Sequence, residues 1–589
     1  MKHIQIRYTL IYTLYTYIET FLLTYGFLLI ASITAFVVQW QSTRVTPLID
    51  YSYQVENAFR IYQGDVPYRD FFLVVAPGTY ELMALLMHIT HGYNHMVQVY
   101  FVMIVAFLTV VLTHKVLLFM GVSRKVSVCI LIPLIFSGQS IYPYPLYDAN
   151  VMISILFSLC IILFLRNNPK RSQKWYVLAG AASAIPIFFK QNTGGIFFIS
   201  MIGAFLGSLI LGRKKKDIHA CIAFIFGGII IIGSIFLWLI YSSSFDQYIY
   251  QTLLFPRFAR NPVDAVFIIL GQYASYVDMY LHDRFILVMT ISFCFEIIVM
   301  AWVKKYVKKI NMLPFLFWLF TCIYGIIFFL YVWNTKTPIV LYDSIVLWLW
   351  ITTVFGSIIC TIVSIVQKKK KEIFHVFLPI VYILTVHATF LSHGIIHSSA
   401  HMWPFFLCMI GYIYVTVSAY IPQSIWKGVV CGIFIMLTAI LAQAVIQNYS
   451  MGFVRTDGEI DHARMKTLQG LSTPGPWIQD FEAMVQYVDH QIPHSDTVAF
   501  LPGEDPFFAT SGRKNPLQFS LLHAGVYTLQ PTIIVTEIVQ KKILWIIVKR
   551  EHQTYPCLWI SNWEGISYWL NKRYQIVVTI GIYDIYKKI

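Results

Sequence analysis

Apolar runs of roughly 18 to 24 residues recur along this chain as far as about residue 447, each long enough to cross about 30 Å of hydrocarbon as a helix. Lipid offers no partner for a peptide group, so such runs specify helices that satisfy their own backbone. The composition agrees, with 58% hydrophobic and 12% charged residues and a mean hydropathy of +0.66. That is more apolar surface than a water-soluble interior holds. The alternating pattern of a transmembrane barrel is missing from the sequence. The expected fold is a polytopic α-helical membrane protein with about thirteen transmembrane helices. The runs lie near 20–40, 96–118, 126–138, 150–165, 176–189, 194–212, 219–241, 285–303, 313–333, 345–366, 374–391, 402–421 and 427–447. The first is long and lacks a small-residue cleavage site, so it reads as a retained helix rather than a removed signal peptide.

A formal charge of +15 raises the question of a nucleic-acid partner. The cations instead form short clusters on alternate connections: Arg124/Lys125, Arg166 with Lys170, Arg171 and Lys174, "RKKK" at 213–216, "KKYVKK" at 304–309, "KKKK" at 368–371, and Lys427. Such clusters orient a chain in the bilayer, so no nucleic acid is expected. The positive-inside rule places the N-terminus in the cytoplasm, and an odd number of spans places the C-terminus outside the plasma membrane. The nine cysteines form no CxxC pair or disulfide framework.

This parity sends the polar segments to one side. The first loop (41–95), "IYPYPLYDAN" at 141–150, "KQN" at 190–192, the loop 242–284, "NTKTPIVLYD" at 334–343 and "SHGIIHSSAH" at 392–401 all face the exterior. Two domains are expected: a transmembrane domain, 1–447, and a small extracytoplasmic α/β domain, 448–589. In the latter "DTVAFLPG", "TIIVTEIV", "LWIIVK" and "YQIVVTIGIYDIY" read as strands, and "WIQDFEAMVQYVDHQI" and "WEGISYWLNKR" as helices. In the first loop a helix over 50–62 carries Tyr53, Phe59 and Ile61 and ends at Gly64. A surface helix follows in "TYELMALLMHITHG".

Asp50, just past the first span, is a candidate general base at the membrane edge; its structural alternative is an N-cap for the helix that follows. "PYRDFF" sets Arg69 beside Asp70, with Tyr68 and Tyr53 near in sequence. Arg69 either grips a phosphate or carboxylate or pins the loop through Asp70. Lys190 ends an apolar helix on the side where lysines are scarce, either as a substrate-binding cation or as a snorkelling side chain. Asp148, Arg257 and Arg260 add charge to the same side. His393, His397 and His401 stand at i, i+4 and i+8, the spacing of a metal site on a helix. Gly394 and the serines break that helix, and no carboxylate is close in sequence. No metal or other cofactor is assigned, and a divalent metal stays an alternative. Glu296, within a span, points to transport or to a polar neighbour.

A membrane-edge Asp followed by "AFRIYQGDVPYRDFF" and "APGTYELMA" resembles bacterial multipass glycosyltransferases of the GT-C superfamily, the group that includes protein O-mannosyltransferases and lipid A aminoarabinose transferases. "GAASAIPIFFKQNTGG" and "DTVAFLPGEDPFFATSGRKNP" resemble further stretches of the same proteins. The resemblance implies transfer of a sugar from a polyprenyl-phosphate donor to an acceptor glycan, lipid or protein outside the membrane. Asp50 matches the usual base. Many relatives have Asp-Glu there; this chain has Asp50-Tyr51, which leaves Glu56 as the second acid. His401 in "HSSAHMWP" matches a histidine before a late span. Arg69, Lys190, Arg257 and His401 are then the groups to face the donor phosphate. The competing functions are a membrane transporter or lipid flippase, and a surface-polysaccharide polymerase or ligase.

Overall fold

The computed structural model describes residues 24–43, 48–168, 172–212, 215–255, 338–366, 373–393, 400–418, 460–522, 531–550 and 563–589, with isolated positions between 271 and 288 and between 434 and 445. The helices run α1 (Thr24–Ser42), α2 (Leu48–Tyr62), α3 (Gly78–Thr90), α4 (His95–Phe119), α5 (Arg124–Leu131), α6 (Tyr147–Asn167), α7 (Lys174–Ala184), α8 (Pro186–Phe189), α9 (Gln191–Gly212) and α10 (Lys215–Tyr241). Further long helices occupy Pro338–Val366 and Ile373–His393, and a shorter one Trp403–Val417.

Six segments among the described residues are long and apolar enough to cross a bilayer: α1, α4, α6, Gln191–Leu211, Ile218–Tyr241 and Ala400–Val417. On α10 the outward side chains are Ile222, Phe226, Ile229 and Leu237. Large apolar groups facing outward along a whole helix fit a lipid environment. The chain is an integral membrane protein. Two expected spans depart from a continuous helix. Segment 126–138 is the short α5 followed by 3-10 turns at Ile132–Phe136 and Gly138–Ser140, because Pro133 removes a backbone donor and Gly138 (φ 62°) breaks the helix. Segment 176–189 is α7 and α8, adjoining at Pro186. The run expected at 313–333 and most of those at 285–303 and 427–447 lie outside the described residues.

Small residues set the packing that matters for the site. A Cβ on Gly180 of α7 would sit 1.8 Å from the Phe224 carbonyl oxygen of α10, and one on Gly227 of α10 would sit 1.9 Å from the Val177 carbonyl oxygen. The two backbones therefore touch, which only glycine permits. Past α8 the chain takes one extended residue, Lys190 (φ −151°, ψ 105°), and turns back as α9. Gly194 lies against the backbone of Pro186. A single residue at the tip of a helical hairpin is thus held in place from both sides.

The C-terminal residues form a two-stranded ribbon, β1 (Ile460–His462) with β2 (Ser472–Pro474), and a four-stranded sheet. The sheet contains β3 (Val498–Leu501), β4 (Trp545–Lys549), β5 (Tyr574–Ile580) and β6 (Tyr583–Lys588) in the order β3-β4-β6-β5. Helices Trp477–Gln491 and Trp563–Arg573 occur as expected. "TIIVTEIV" does not form a strand; it lies in the helix Pro531–Gln540. Its β-branched run suits a strand locally, but β3 and β4 are parallel, and parallel neighbours need a crossover. The helix occupies that connection.

Candidate active site at one end of the helical bundle

The segment between α5 and α6 is short and rich in tyrosine, and it carries side chains from separate helices into one cluster. Asp50, in the first turn of α2, accepts a hydrogen bond from the Tyr144 hydroxyl at 3.2 Å. Tyr144 packs edge-on against Tyr142 with ring centres 5.8 Å apart, and Tyr142 lies 5.7 Å from the His401 ring. Asp148, at the start of α6, takes the Lys190 ammonium at 2.5 Å, with both side chains at most 4% exposed. The Lys190 ammonium also stands 5.2 Å from the centre of the Tyr147 ring. Lys190 therefore does not snorkel: its ammonium is held inside the protein beside Asp148.

The charges of these groups reach one another. Burial pushes the Asp50 carboxyl above the usual carboxylate range, the Tyr144 hydrogen bond pulls it back, and the Asp148 charge pushes it up again. Asp148 and Lys190 both act on His401. His401 is buried, and neither ring nitrogen has a hydrogen-bond partner among the described residues. An imidazole with two unmet nitrogens beside an ion pair has capacity for a ligand or solvent oxygen. The cluster joins a carboxylate suited to taking a proton, a buried cation and an open imidazole.

Other candidates lie elsewhere. Arg69 is exposed and paired with Asp70 at 2.8 Å, with a weaker contact to the Ser242 carbonyl at 3.4 Å. Asp70 also accepts from the Val66 amide, so this pair closes the "GDVPYRD" turn. Tyr68 is buried at φ 67° and donates to the Val75 carbonyl at 2.8 Å; Tyr53 packs edge-on against Tyr80. Both stiffen the first loop. Arg257, Arg260, Glu296 and His397 lie outside the described residues, as does the side chain of His393. No group of three or more His, Cys, Asp or Glu side chains poised for a metal occurs among the described residues.

Glu56 faces away from the cluster, as a six-residue offset from Asp50 on one helix requires. It accepts from the Phe508 and Ala509 amides at 2.9 and 3.2 Å. Asn57 accepts from the Ser520 hydroxyl, and Arg60 donates to the Leu517 carbonyl while pairing with Asp65. Lys514 pairs with the same Asp65 at 2.5 Å. One face of α2 thus anchors the C-terminal segment 505–520, while its first turn carries Asp50. Burial raises Glu56 to about 8, the two amides and Arg60 opposing it. Tyr144 was not singled out from the sequence. The available signal was its place in "YPYPLYD", where three tyrosines crowd Asp148.

No protein-family model matches the chain, and no curated protein matches it in sequence. In fold it is similar to the oligosaccharyltransferase of Archaeoglobus fulgidus, solved in complex with Zn and sulfate. The identity is 11% and the TM-score 0.49, with 89% of this chain and 68% of that chain covered. It is also similar to ArnT from Cupriavidus metallidurans bound to undecaprenyl phosphate (10% identity, TM-score 0.42) and to the same protein in the apo state (10%, 0.43). Each comparison covers 96% of this chain and 98% of the other.

Proposed function

We propose that this protein is a membrane glycosyltransferase that moves a sugar from a polyprenyl-phosphate donor to an acceptor hydroxyl at the outer face of the membrane. The observation that carries the reading is the cluster of Asp50, Asp148, Lys190 and His401 at one end of a lipid-facing bundle. The reacting carbon of a lipid-linked sugar sits at headgroup level, so its chemistry belongs at a bundle end. Asp50 takes the proton of the acceptor hydroxyl as the oxygen attacks the anomeric carbon. The bond from that carbon to the phosphate oxygen breaks, with inversion. Lys190 and His401 meet the charge gathering on the departing phosphate. A transporter would collect such groups near the bilayer midplane; here they gather at the end.

The same reading includes about thirteen spans, a cytoplasmic N-terminus and an exterior domain formed by 448–589. It is tested by incubating the purified protein with labelled polyprenyl-phosphate sugars beside Asp50→Asn. The variant is expected to lose about 10²- to 10⁴-fold in turnover. Equal turnover would remove Asp50 as base, and no turnover by the wild type on any donor would overturn the assignment.

A further inference from the structure

The sheet has two ends of different character. At one end, β3 leads through Pro502–Pro506 to the Phe508 and Ala509 amides that bind Glu56 of α2, and Lys549 at the close of β4 is buried against Glu504 and Asp505. This end docks on the membrane part of the chain. At the other end the strands bring cations together. Lys541 and Lys542 precede β4, Lys572 and Arg573 precede β5, and Lys587 and Lys588 close β6. The register makes them neighbours: Trp545 pairs with Lys587 and Tyr574 with Lys588. The Lys588 amide donates to the Leu544 carbonyl, and the Ile589 amide to the Arg573 carbonyl, both at 2.9 Å.

All six cations are exposed, and none forms an ion pair with a described residue. Among the described residues Glu537, a turn before Lys541, is a carboxylate that senses one of them. Aromatic rings lie among the charges. The Lys572 ammonium is 4.1 Å from the centre of the exposed Tyr568 ring, Lys587 is 5.0 Å from Trp545, and Arg573 is 5.9 Å from Trp569. Six like charges held together cost the fold self-repulsion, and among the described residues three of them meet aromatic rings rather than carboxylates.

We propose that this end of the sheet is a docking surface for a polyanionic glycan. It lies at the opposite end of the strands from the contact with α2. The cations meet repeated carboxylate or phosphate groups, and the Tyr568 ring offers a flat face to a sugar. The choice of a glycan over a nucleic acid rests on the exterior placement proposed above.

The test uses the full chain in detergent and polygalacturonate as the probe, with dextran, phosphatidylglycerol vesicles and single-stranded oligonucleotide for comparison. Binding to polygalacturonate is expected at low salt, lost by about 0.5 M NaCl, with none to dextran. Lys572→Glu/Arg573→Glu is expected to weaken it about tenfold or more. Lys587→Gln/Lys588→Gln, a gentler pair, should weaken it in the same direction. Arg464→Glu/Lys466→Glu, with the same net-charge change on the docked side, should leave it within about twofold. Equal losses in both charge-reversal pairs would make it an effect of net charge and overturn the proposal. So would no binding by the wild type, or tighter binding to vesicles or oligonucleotide. The sugar-transfer reading can fail without touching this result, since no turnover is measured.

Discussion

Neutralising one member of the Lys190–Asp148 pair leaves the other charge in a site that water does not reach. The two atoms are 2.5 Å apart, and the side chains are 3% and 4% exposed. Breaking such a pair from one side costs about 3–5 kcal/mol, whereas replacing both partners together is often close to neutral. Lys190→Met and Asp148→Asn should therefore each lower stability by about that amount. The double variant should recover most of it, a coupling of about 3 kcal/mol or more. Thermal unfolding in detergent can be followed with a thiol dye, because Cys221, Cys360 and Cys408 are buried until the bundle opens. Two low midpoints and a restored double variant are expected. Additive losses, or singles indistinguishable from wild type, would refute the buried pair. Activity separates structure from chemistry: the restored double variant still lacks the cation for the donor phosphate and should stay inactive.

Three further outcomes follow from the same geometry. Tyr144→Phe removes the hydrogen bond that lowers the Asp50 carboxyl, so the acid limb of the pH–rate profile should move up by about one unit or less; an unmoved limb would detach Asp50 from the rate. Glu56 holds its proton up to about 8 in the fold, against 4.5 for a free carboxyl. Its contribution to stability is whole below 4.5 and is lost as pH rises through 8. Melting points of the wild type should fall across that window, and those of Glu56→Gln should fall less. Arg69→Ala breaks an exposed pair and should leave the melting point close to that of the wild type; a large fall would show that the first loop depends on it.

The six membrane-long segments among the described residues were legible because hydrocarbon imposes a length and an apolar composition that no other environment demands together. β3, β4 and the β5–β6 hairpin were legible for a similar reason, since short β-branched and aromatic runs between turn residues have few other uses. The sequence also marked Asp50, Asp148, Lys190 and His401 as polar groups sharing one side. It held no sign that Lys190 and Asp148, 42 positions apart, form an ion pair, or that His401 joins them from a late span. The six-residue offset placed Glu56 on another helix face than Asp50, but nothing in it showed that this face binds the C-terminal segment. Those outcomes depend on how helices pack: on Gly180 and Gly227 letting α7 and α10 touch, and on the one-residue reversal at Lys190. Burial along a chain is a local property that each segment carries in its own composition. Which loops meet at the end of a bundle is decided by contacts between segments, and only the tertiary structure contains them.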